Sequence, residues 1–482
     1  MRGAMTTARS AARSLLWNYA GSALTVVLQL GYTACTARLV APTAFGAYAI
    51  ATAVLGLLGY FANGGVATCL LRTPELTRPL VGLALRTTTI TGACCFLLVQ
   101  LAAPAAGVLW DIEGLVTLLR LLSTQFLVVP VALAASAALR RMGLAAEVVR
   151  YELLGQCTGF GLSVILLGYG WNPYALAVAA PIASSVVLAG SLRLLVARKL
   201  PDGPRPPLAE LLGPSTFFAG HSLVQYGCNT APLWLAGALL GPTTVGYYSR
   251  ASLFTGLPLT MLAQGINRAV APVLAESHDV RAERDALCVA SAIGLIGFGT
   301  VAALGPTALP LLLGPDWELA GHLVPLLAAG AAFSLVTSVG DSINQVRHDP
   351  AALIRSQCWA AAAIACTLGA ATLQHSLTLL TAASVTGPLA AHGAQLVRWG
   401  RPFFVTALRD HAAHAAVGGA LFAIGPAAER GPYTGLTVAL TVLGGLVLLW
   451  KRLPLYAVAH RLGLTSTSRS GPGPGRQRVT SR

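Results

Sequence analysis

Charge is what this chain lacks most. Only 10% of its 482 residues are Asp, Glu, Lys or Arg, against about 25% in soluble globular domains. So few charges cannot clothe a water-facing surface, which excludes a soluble enzyme, an extracellular binding module and a disordered scaffold. No C-x-x-C pair occurs, and the nine cysteines (Cys35, Cys69, Cys94, Cys95, Cys157, Cys228, Cys288, Cys358 and Cys366) all lie in or beside apolar stretches. An odd number placed that way reads as buried small hydrophobes rather than as disulfides or metal ligands. The phosphate-cradling pattern G-x-x-x-x-G-K-[ST] is also missing, so this chain is not expected to hydrolyse ATP. No cofactor and no metal are expected.

What the chain has in quantity is apolar length. Its composition is 55% hydrophobic and its mean hydropathy is +0.68. Stretches long enough to cross a bilayer as helices, about 20 residues each, recur along nearly the whole sequence. Pro/Gly and charged breaks place spans near 15–37, 46–71, 80–103, 115–139, 148–168, 174–197, 211–236, 246–273, 286–312, 319–344, 352–373, 377–399, 409–427 and 434–458. The fold class is therefore an all-α polytopic membrane protein of about fourteen helices. The first run, from Leu15 to about Cys35, is longer than a signal-peptide core and carries Asn18 and Gln29, so it reads as a retained helix.

The net charge of +15 is explained by topology. With the N-terminus cytoplasmic, 28 of the 32 Lys and Arg fall on the inside, and only Arg38, Arg120, Arg250 and Arg430 fall outside. That asymmetry follows the positive-inside rule and points to lipid headgroups as the electrostatic partner rather than nucleic acid. Both termini are expected to be cytoplasmic, with a short tail at 1–14 and a Gly/Pro/Ser/Arg-rich, disordered basic tail at 465–482.

The chain also repeats itself. Leu39-Val40-Ala41-Pro42-Thr43-Ala44-Phe45-Gly46-Ala47-Tyr48 and Leu239-Leu240-Gly241-Pro242-Thr243-Thr244-Val245-Gly246-Tyr247-Tyr248 agree at five of ten positions, at an offset of 200 residues. Asp111-x-Glu113 and Asp316-x-Glu318 echo each other in the same sense; solvated acidic turns explain them better than metal sites do. An even number of spans separates the copies. The expected architecture is therefore two parallel six-helix lobes, 15–200 and 211–399, plus a helix pair at 409–458, with the substrate site between the lobes.

Polar residues inside the spans fall on helical faces. In the first span Asn18, Ser22, Thr25, Gln29, Thr33 and Thr36 are spaced by 4, 3, 4, 4 and 3, which is one face. It lines a cavity or bonds to neighbouring helices. His221, Gln225 and Asn229 share a face in the seventh span. Arg250 and Arg268 lie 18 residues apart in the eighth, on one face and about 27 Å apart, one at each mouth of the span, with Gln264 a turn from Arg268. Snorkelling to headgroups is the alternative role for each arginine. Arg86, in the third span, reaches the interface or lines the cavity. Asp341 forms a stripe with Ser334, Thr337 and Asn344; a membrane-embedded acid is a candidate coupling-ion site, or a partner for Arg347. His392 and Gln395 are weaker candidates, and His411 and His414 read as interfacial.

Three stretches resemble the polysaccharide (oligosaccharidyl-lipid) flippase family, within the superfamily that also holds multidrug extrusion transporters and lipid II flippases. They are Trp17-Asn18 through Ala37-Arg38-Leu39-x-x-Pro42-x-x-Phe45-Gly46-x-Tyr48 with Asn63-Gly64-Gly65 and Leu71-Arg72; Leu239-Leu240-Gly241-Pro242 through Gly246-Tyr247-Tyr248-Ser249-Arg250-Ala251, Leu257-Pro258 and Ile266-Asn267-Arg268; and Leu313-Gly314-Pro315-Asp316-Trp317. Together they touch most of residues 15–345, while the last four spans match in hydropathy alone. The resemblance implies export of a polyprenyl-diphosphate-linked oligosaccharide across the cell membrane by alternating access, making and breaking no bond. Association with polysaccharide polymerase machinery is implied as well. Arginine forks suit a diphosphate, whose oxygens they bind in pairs. Where family members often carry an acid in the seventh helix, this chain has Cys228-Asn229-Thr230, and where Asp-x-Gly is common it has Asn63-Gly64-Gly65. A multidrug or cation antiporter of the same superfamily is the alternative; it calls for an acidic cavity. A glycan polymerase or ligase would need a large external loop or paired carboxylates, and the longest external connections here are only about a dozen residues.

Overall fold

The computed structural model describes residues 21, 24–63, 65–73, 75–198, 200–203, 216–277, 280–428, 438, 441–442 and 444. Among them the chain is helix and turn throughout. The long helices are α1 (24–39), α2 (Pro42–Asn63), α3 (Arg78–Trp110), α4 (Leu115–Arg141), α5 (Ala145–Gly168), α6 (Tyr174–Ala197), α7 (Thr216–Leu240), α8 (Pro242–Ser277), α9 (Val280–Leu313), α10 (Pro315–Val346), α11 (Pro350–Gln374), α12 (Leu377–Trp399) and α13 (Arg401–Ala428). The N-tail with Asn18, the span expected at 434–458 and the basic tail lie outside the described residues, apart from a few isolated positions in that span.

Local chemistry sets most boundaries. Proline opens α2, α8 and α11, where its missing N–H is not needed and its fixed φ already suits a helix. Asp349 and Ser376 cap α11 and α12 through the N–H groups of Ala352 and Leu379. The second span, expected as one helix over 46–71, is interrupted. Gly65 sits at φ 70°, so α2 stops at Asn63 and Val66–Arg72 forms a separate short helix. Tertiary packing also carries α8 on to Ser277 and starts α9 at Val280, longer than apolar runs alone suggest. At 36 residues, α8 is about 54 Å long and overshoots the roughly 30 Å hydrocarbon layer.

Eight of these helices are long and apolar enough to cross a membrane: α2 to α6 and α9 to α11. The others have a reason to fall short. Only 24–39 of α1 is described, while α7, α8, α12 and α13 carry the polar residues that meet inside the protein.

The two ends of the bundle are packed differently. At the end holding the turns before Pro42 and Pro242, one apolar cluster joins both halves of the chain: Phe45, Ile50, Leu118, Val245, Tyr248, Leu309 and Trp317 all belong to it. At the opposite end there are two separate clusters. One is built from the first half (Leu70, Leu80, Leu139, Val148, Leu195), the other from the second (Leu274, Leu287, Val336, Ile343, Phe403). Among the described residues the bundle is therefore sealed at the first end and divided at the second.

Two glycines make the seal. A Cβ on Gly46 would overlap the Pro242 carbonyl, and a Cβ on Gly246 would overlap the Pro42 carbonyl. The repeated turns thus cross reciprocally, each glycine admitting the other copy's proline, the self-complementary contact of a two-fold axis. Trp317 closes the crossing from above. It is 1% exposed, its indole donates to the Ala37 carbonyl at 3.0 Å, and its ring meets Phe45 and Tyr247 edge-on at 5.5 and 5.9 Å.

Candidate functional site: two polar cavities against one helix

Below the seal, α8 has a cavity on each side. The larger, about 1080 Å³, lies between α7, α8, α10, α11 and α12, with Tyr60 of α2 at its edge. Its polar lining is Gln225 and Asn229 from α7, Thr260, Gln264 and Asn267 from α8, Ser334, Thr337, Ser338 and Asp341 from α10, and Ser356 and Gln357 from α11. The smaller, about 460 Å³, lies between α1, α4, α5, α6 and α8. Thr260 and Gln264 border both, so α8 is a shared wall, and both cavities lie toward the divided end of the bundle.

Each cavity holds a carboxylate in a defined setting. In the larger, Asp341 accepts a hydrogen bond from Gln395 Nε2 at 2.8 Å. In the smaller, Glu152 accepts both prongs of Arg140, at 2.7 and 2.8 Å. That pair is about a third exposed on each side, so it stays reachable from the cavity. Beside it, Gln156 Oε1 is buried without a hydrogen-bond partner.

The residues singled out from sequence separate into groups. Gln225, Asn229, Gln264 and Asp341 come together around the larger cavity. Thr25 reaches the smaller one, but Gln29 borders neither. Farther along the α1 stripe, Thr36 turns its hydroxyl back to the Tyr32 and Thr33 carbonyls. Arg86 is exposed on α3 and also borders neither cavity. His221 and Arg268 are placed on α7 and α8 by their backbones, and their side chains lie outside the described residues.

Arg250 is set apart from both cavities. It lies two turns inside α8, within the seal, with its guanidinium carbon 4.4 Å from the centre of the Phe45 ring and in electrostatic reach of Tyr48 and Tyr32. Its Nε is buried with no hydrogen-bond partner among the described residues. A guanidinium held by an aromatic face but short of a hydrogen bond is poised for a better acceptor.

Sequence reading passed over Arg140, Glu152 and Gln156. Arg140 counted only as one more inside charge at a loop. The available signal was Glu152, an acid within an apolar span, followed at i+4 by Gln156 on the same face.

Residues 35–320 match the family described as polysaccharide biosynthesis protein. The chain belongs to that family. Among solved structures, this polysaccharide biosynthesis family member is similar to the lipid II flippase MurJ in an inward closed conformation. The TM-score is 0.74 at 11% identity, covering 92% of this chain and 100% of that one. It is also similar to an inward-facing multidrug resistance MATE family transporter of the MOP superfamily, with a TM-score of 0.57 at 15% identity, over 80% of this chain and 94% of that one. Comparison with curated protein sequences gives no match. At these identities the structural likeness establishes the fold. The family member is a multi-pass helical membrane protein of the architecture those transporters share.

Proposed function

We propose that this protein is a flippase that carries a polyprenyl-diphosphate-linked oligosaccharide across the cell membrane for cell-surface polysaccharide assembly. The observation that carries the proposal is the pair of polar cavities meeting at Gln264, toward the divided end, beneath a sealed crossing. A bundle built that way admits a large polar cargo from one side while its other side is shut, and an alternating-access carrier needs that asymmetry. The positive-inside charge distribution supports a cytoplasmic placement of the divided end and of both termini. The glycan enters the cavities while the polyprenyl tail stays in lipid. The halves 15–200 and 211–399 rock about the reciprocal Pro42/Pro242 crossing.

The arginines divide the work. Arg140 holds the diphosphate near the cytoplasmic side, its fork exchanging Glu152 for phosphate oxygens. Arg250 takes the headgroup when the crossing parts and Phe45 moves from its guanidinium. Association with a polysaccharide polymerase follows from the product's fate.

Asp341 favours a second reading. An acid on the wall of the larger cavity also suits a cationic drug, as a multidrug antiporter requires. One experiment separates the two. In proteoliposomes, a fluorescent polyprenyl-diphosphate oligosaccharide on the outer leaflet is quenched by an impermeant reductant. Protein-dependent loss of quenchable signal supports the flippase; uptake of organic cations with no lipid movement overturns it.

A further inference from the structure

Behind the wall of the larger cavity, a row of polar side chains runs away from Asp341 through four helices. Gln395 of α12 donates to Asp341 through Nε2, and its Oε1 faces His392 Nδ1 at 3.4 Å. His392 Nε2 lies 3.0 Å from His411 Nε2 of α13. His411 Nδ1 lies 2.8 Å from Ser291 Oγ of α9, and that oxygen is 3.0 Å from His414 Nδ1. The row ends at His414 Nε2, which is buried and has no hydrogen-bond partner among the described residues. Ser291 is 0% exposed, and Gln395 and His414 are each 1% exposed.

The donors in this row can be placed by elimination. An amide donates through nitrogen and accepts through oxygen, so His392 Nδ1 carries a hydrogen toward Gln395 Oε1. Neutral His392 then has a bare Nε2, and His411 must donate to it from its own Nε2. Neutral His411 has a bare Nδ1, so the Ser291 hydroxyl donates there. Ser291 Oγ must in turn accept from His414 Nδ1, which leaves His414 Nε2 a bare acceptor with nothing to accept. A buried acceptor without a donor is costly, and this bare nitrogen is the atom of the row that is free to bond an entering proton.

The fold holds the row in place. Ser291 lies two residues before a π-helical turn at Ile293–Gly297, a distortion often found at functional sites. Gly299 and Gly418 bring the α9 and α13 backbones into contact, and Gly340 leaves the space that the Gln395 amide fills. The charged groups around it are engaged. Asp410 of α13 holds Arg284 at 3.2 Å, Glu283 of α9 is paired with Arg347, and Asp349 holds Arg398 at 3.2 Å. Cys288 shares α9 with Ser291, and the Arg268 backbone adjoins Asn267, which Ser342 contacts at 3.1 Å. Thr337 O accepts the second Gln395 hydrogen at 3.4 Å.

We propose that His414, Ser291, His411 and His392 form a proton-binding relay serving the Asp341 wall of the cavity. A solvent proton bonds to His414 Nε2. The His414 Nδ1 hydrogen passes to Ser291 Oγ as the hydroxyl hydrogen passes to His411 Nδ1, and the His411 Nε2 hydrogen passes to His392 Nε2. No heavy atom moves between residues, and the positive charge ends on His392. Gln395 keeps its hydrogens and orients that imidazolium behind the Asp341 carboxylate. The inference rests on the transporter reading for its purpose: an anionic headgroup meets a less repulsive wall when the relay is protonated, so proton and cargo affinities are linked.

The test reads the protons directly, so it does not depend on any cargo. The full chain, ¹⁵N-labelled at histidine, is placed in lipid nanodiscs, and His392→Asn, His411→Asn and His414→Asn assign the signals. His392 and His414 should be Nδ1–H tautomers and His411 an Nε2–H tautomer, and on acidification His414 uptake and His392 imidazolium should share one midpoint. Ser291→Ala should move the His392 midpoint by about one pH unit, a tenfold change in proton affinity, while Ser291→Thr should keep the wild-type titration. Another tautomer pattern, Ser291→Ala titrating as wild type, or Ser291→Thr failing along with Ser291→Ala would overturn the relay. Lipid transport that fails while this titration holds would overturn the flippase and leave the relay standing.

Discussion

The reciprocal crossing can be tested with a single methyl group. In Gly46→Ala the new Cβ meets the Pro242 carbonyl, and in Gly246→Ala it meets the Pro42 carbonyl. Neither neighbour is the free end of a flexible side chain, so α2 and α8 must move apart at the seal. Overpacking of this kind costs roughly 1–3 kcal/mol, which moves a two-state equilibrium about 5- to 150-fold. The cost falls only on the conformation in which the seal is closed. Both substitutions should therefore enrich the conformation open at that end.

A cysteine at Val245 reports the change. Val245 is 0% exposed in the sealed bundle, and Val→Cys alters volume little. In a background with the native cysteines replaced, labelling of Val245→Cys by an impermeant maleimide should accelerate within that 5- to 150-fold range. Gly46→Ala and Gly246→Ala should accelerate it similarly, because each supplies one half of the same contact. Gly59→Ala is the control: it lies on α2 with nothing within 4 Å of an added Cβ, and should leave labelling unchanged. Unchanged labelling in both variants, or an effect from one glycine only, would refute the two-fold crossing.

Other outcomes follow from the same geometry. Arg250→Ala should abolish lipid-linked glycan export in cells while the protein remains folded and inserted, and Arg250→Lys should restore it only in part, because an ammonium keeps the charge and loses the fork. Arg140→Ala should weaken binding of a polyprenyl diphosphate to the nanodisc-embedded protein, while Glu152→Gln should strengthen it; the melting temperature should hardly move for either, since a pair this exposed contributes about 0–1 kcal/mol. Trp317→Ala should destabilise by about 3–5 kcal/mol through the lost packing, and Trp317→Phe, which loses mainly the bond to Ala37, by about 0.5–1.5 kcal/mol, as read by thermal unfolding in detergent. The Asp349 carboxyl, in the turn before α11, is held below the usual carboxylate range first by the Ala352 N–H and then by Arg398. Its contribution should be present at neutral pH and lost as pH falls through that lowered value, and Asp349→Asn should flatten the acid limb of the stability profile.

The sequence revealed what depends on length, period and repetition. Apolar runs marked where α2 to α13 lie. The 200-residue offset pairs Pro42 with Pro242 and Gly46 with Gly246, the four residues that meet in the crossing. Faces repeating at three and four residues brought Gln225, Asn229 and Gln264 to one cavity, because a helix converts spacing into direction wherever it is placed. The same rule gives the expectation that Arg250 and Arg268 share one face at the two mouths of a span. It could not show that α8 overshoots the hydrocarbon layer or that α2 crosses α8 within about a turn of both helix starts, which puts Arg250 against Phe45 inside the seal.

The histidine row shows the other limit. Ser291, Asp341, His392 and His411 come from α9, α10, α12 and α13, and no spacing along the chain relates them. Taken singly, Asp341 reads as a candidate coupling-ion site, His392 as a weaker one and His411 as interfacial, while Ser291 carries no signal of its own. Glycine contacts, among them those at 299, 340 and 418, bring those helices close enough for one side chain to reach the next. Small residues, unremarkable in composition, therefore decide which polar residues can act together.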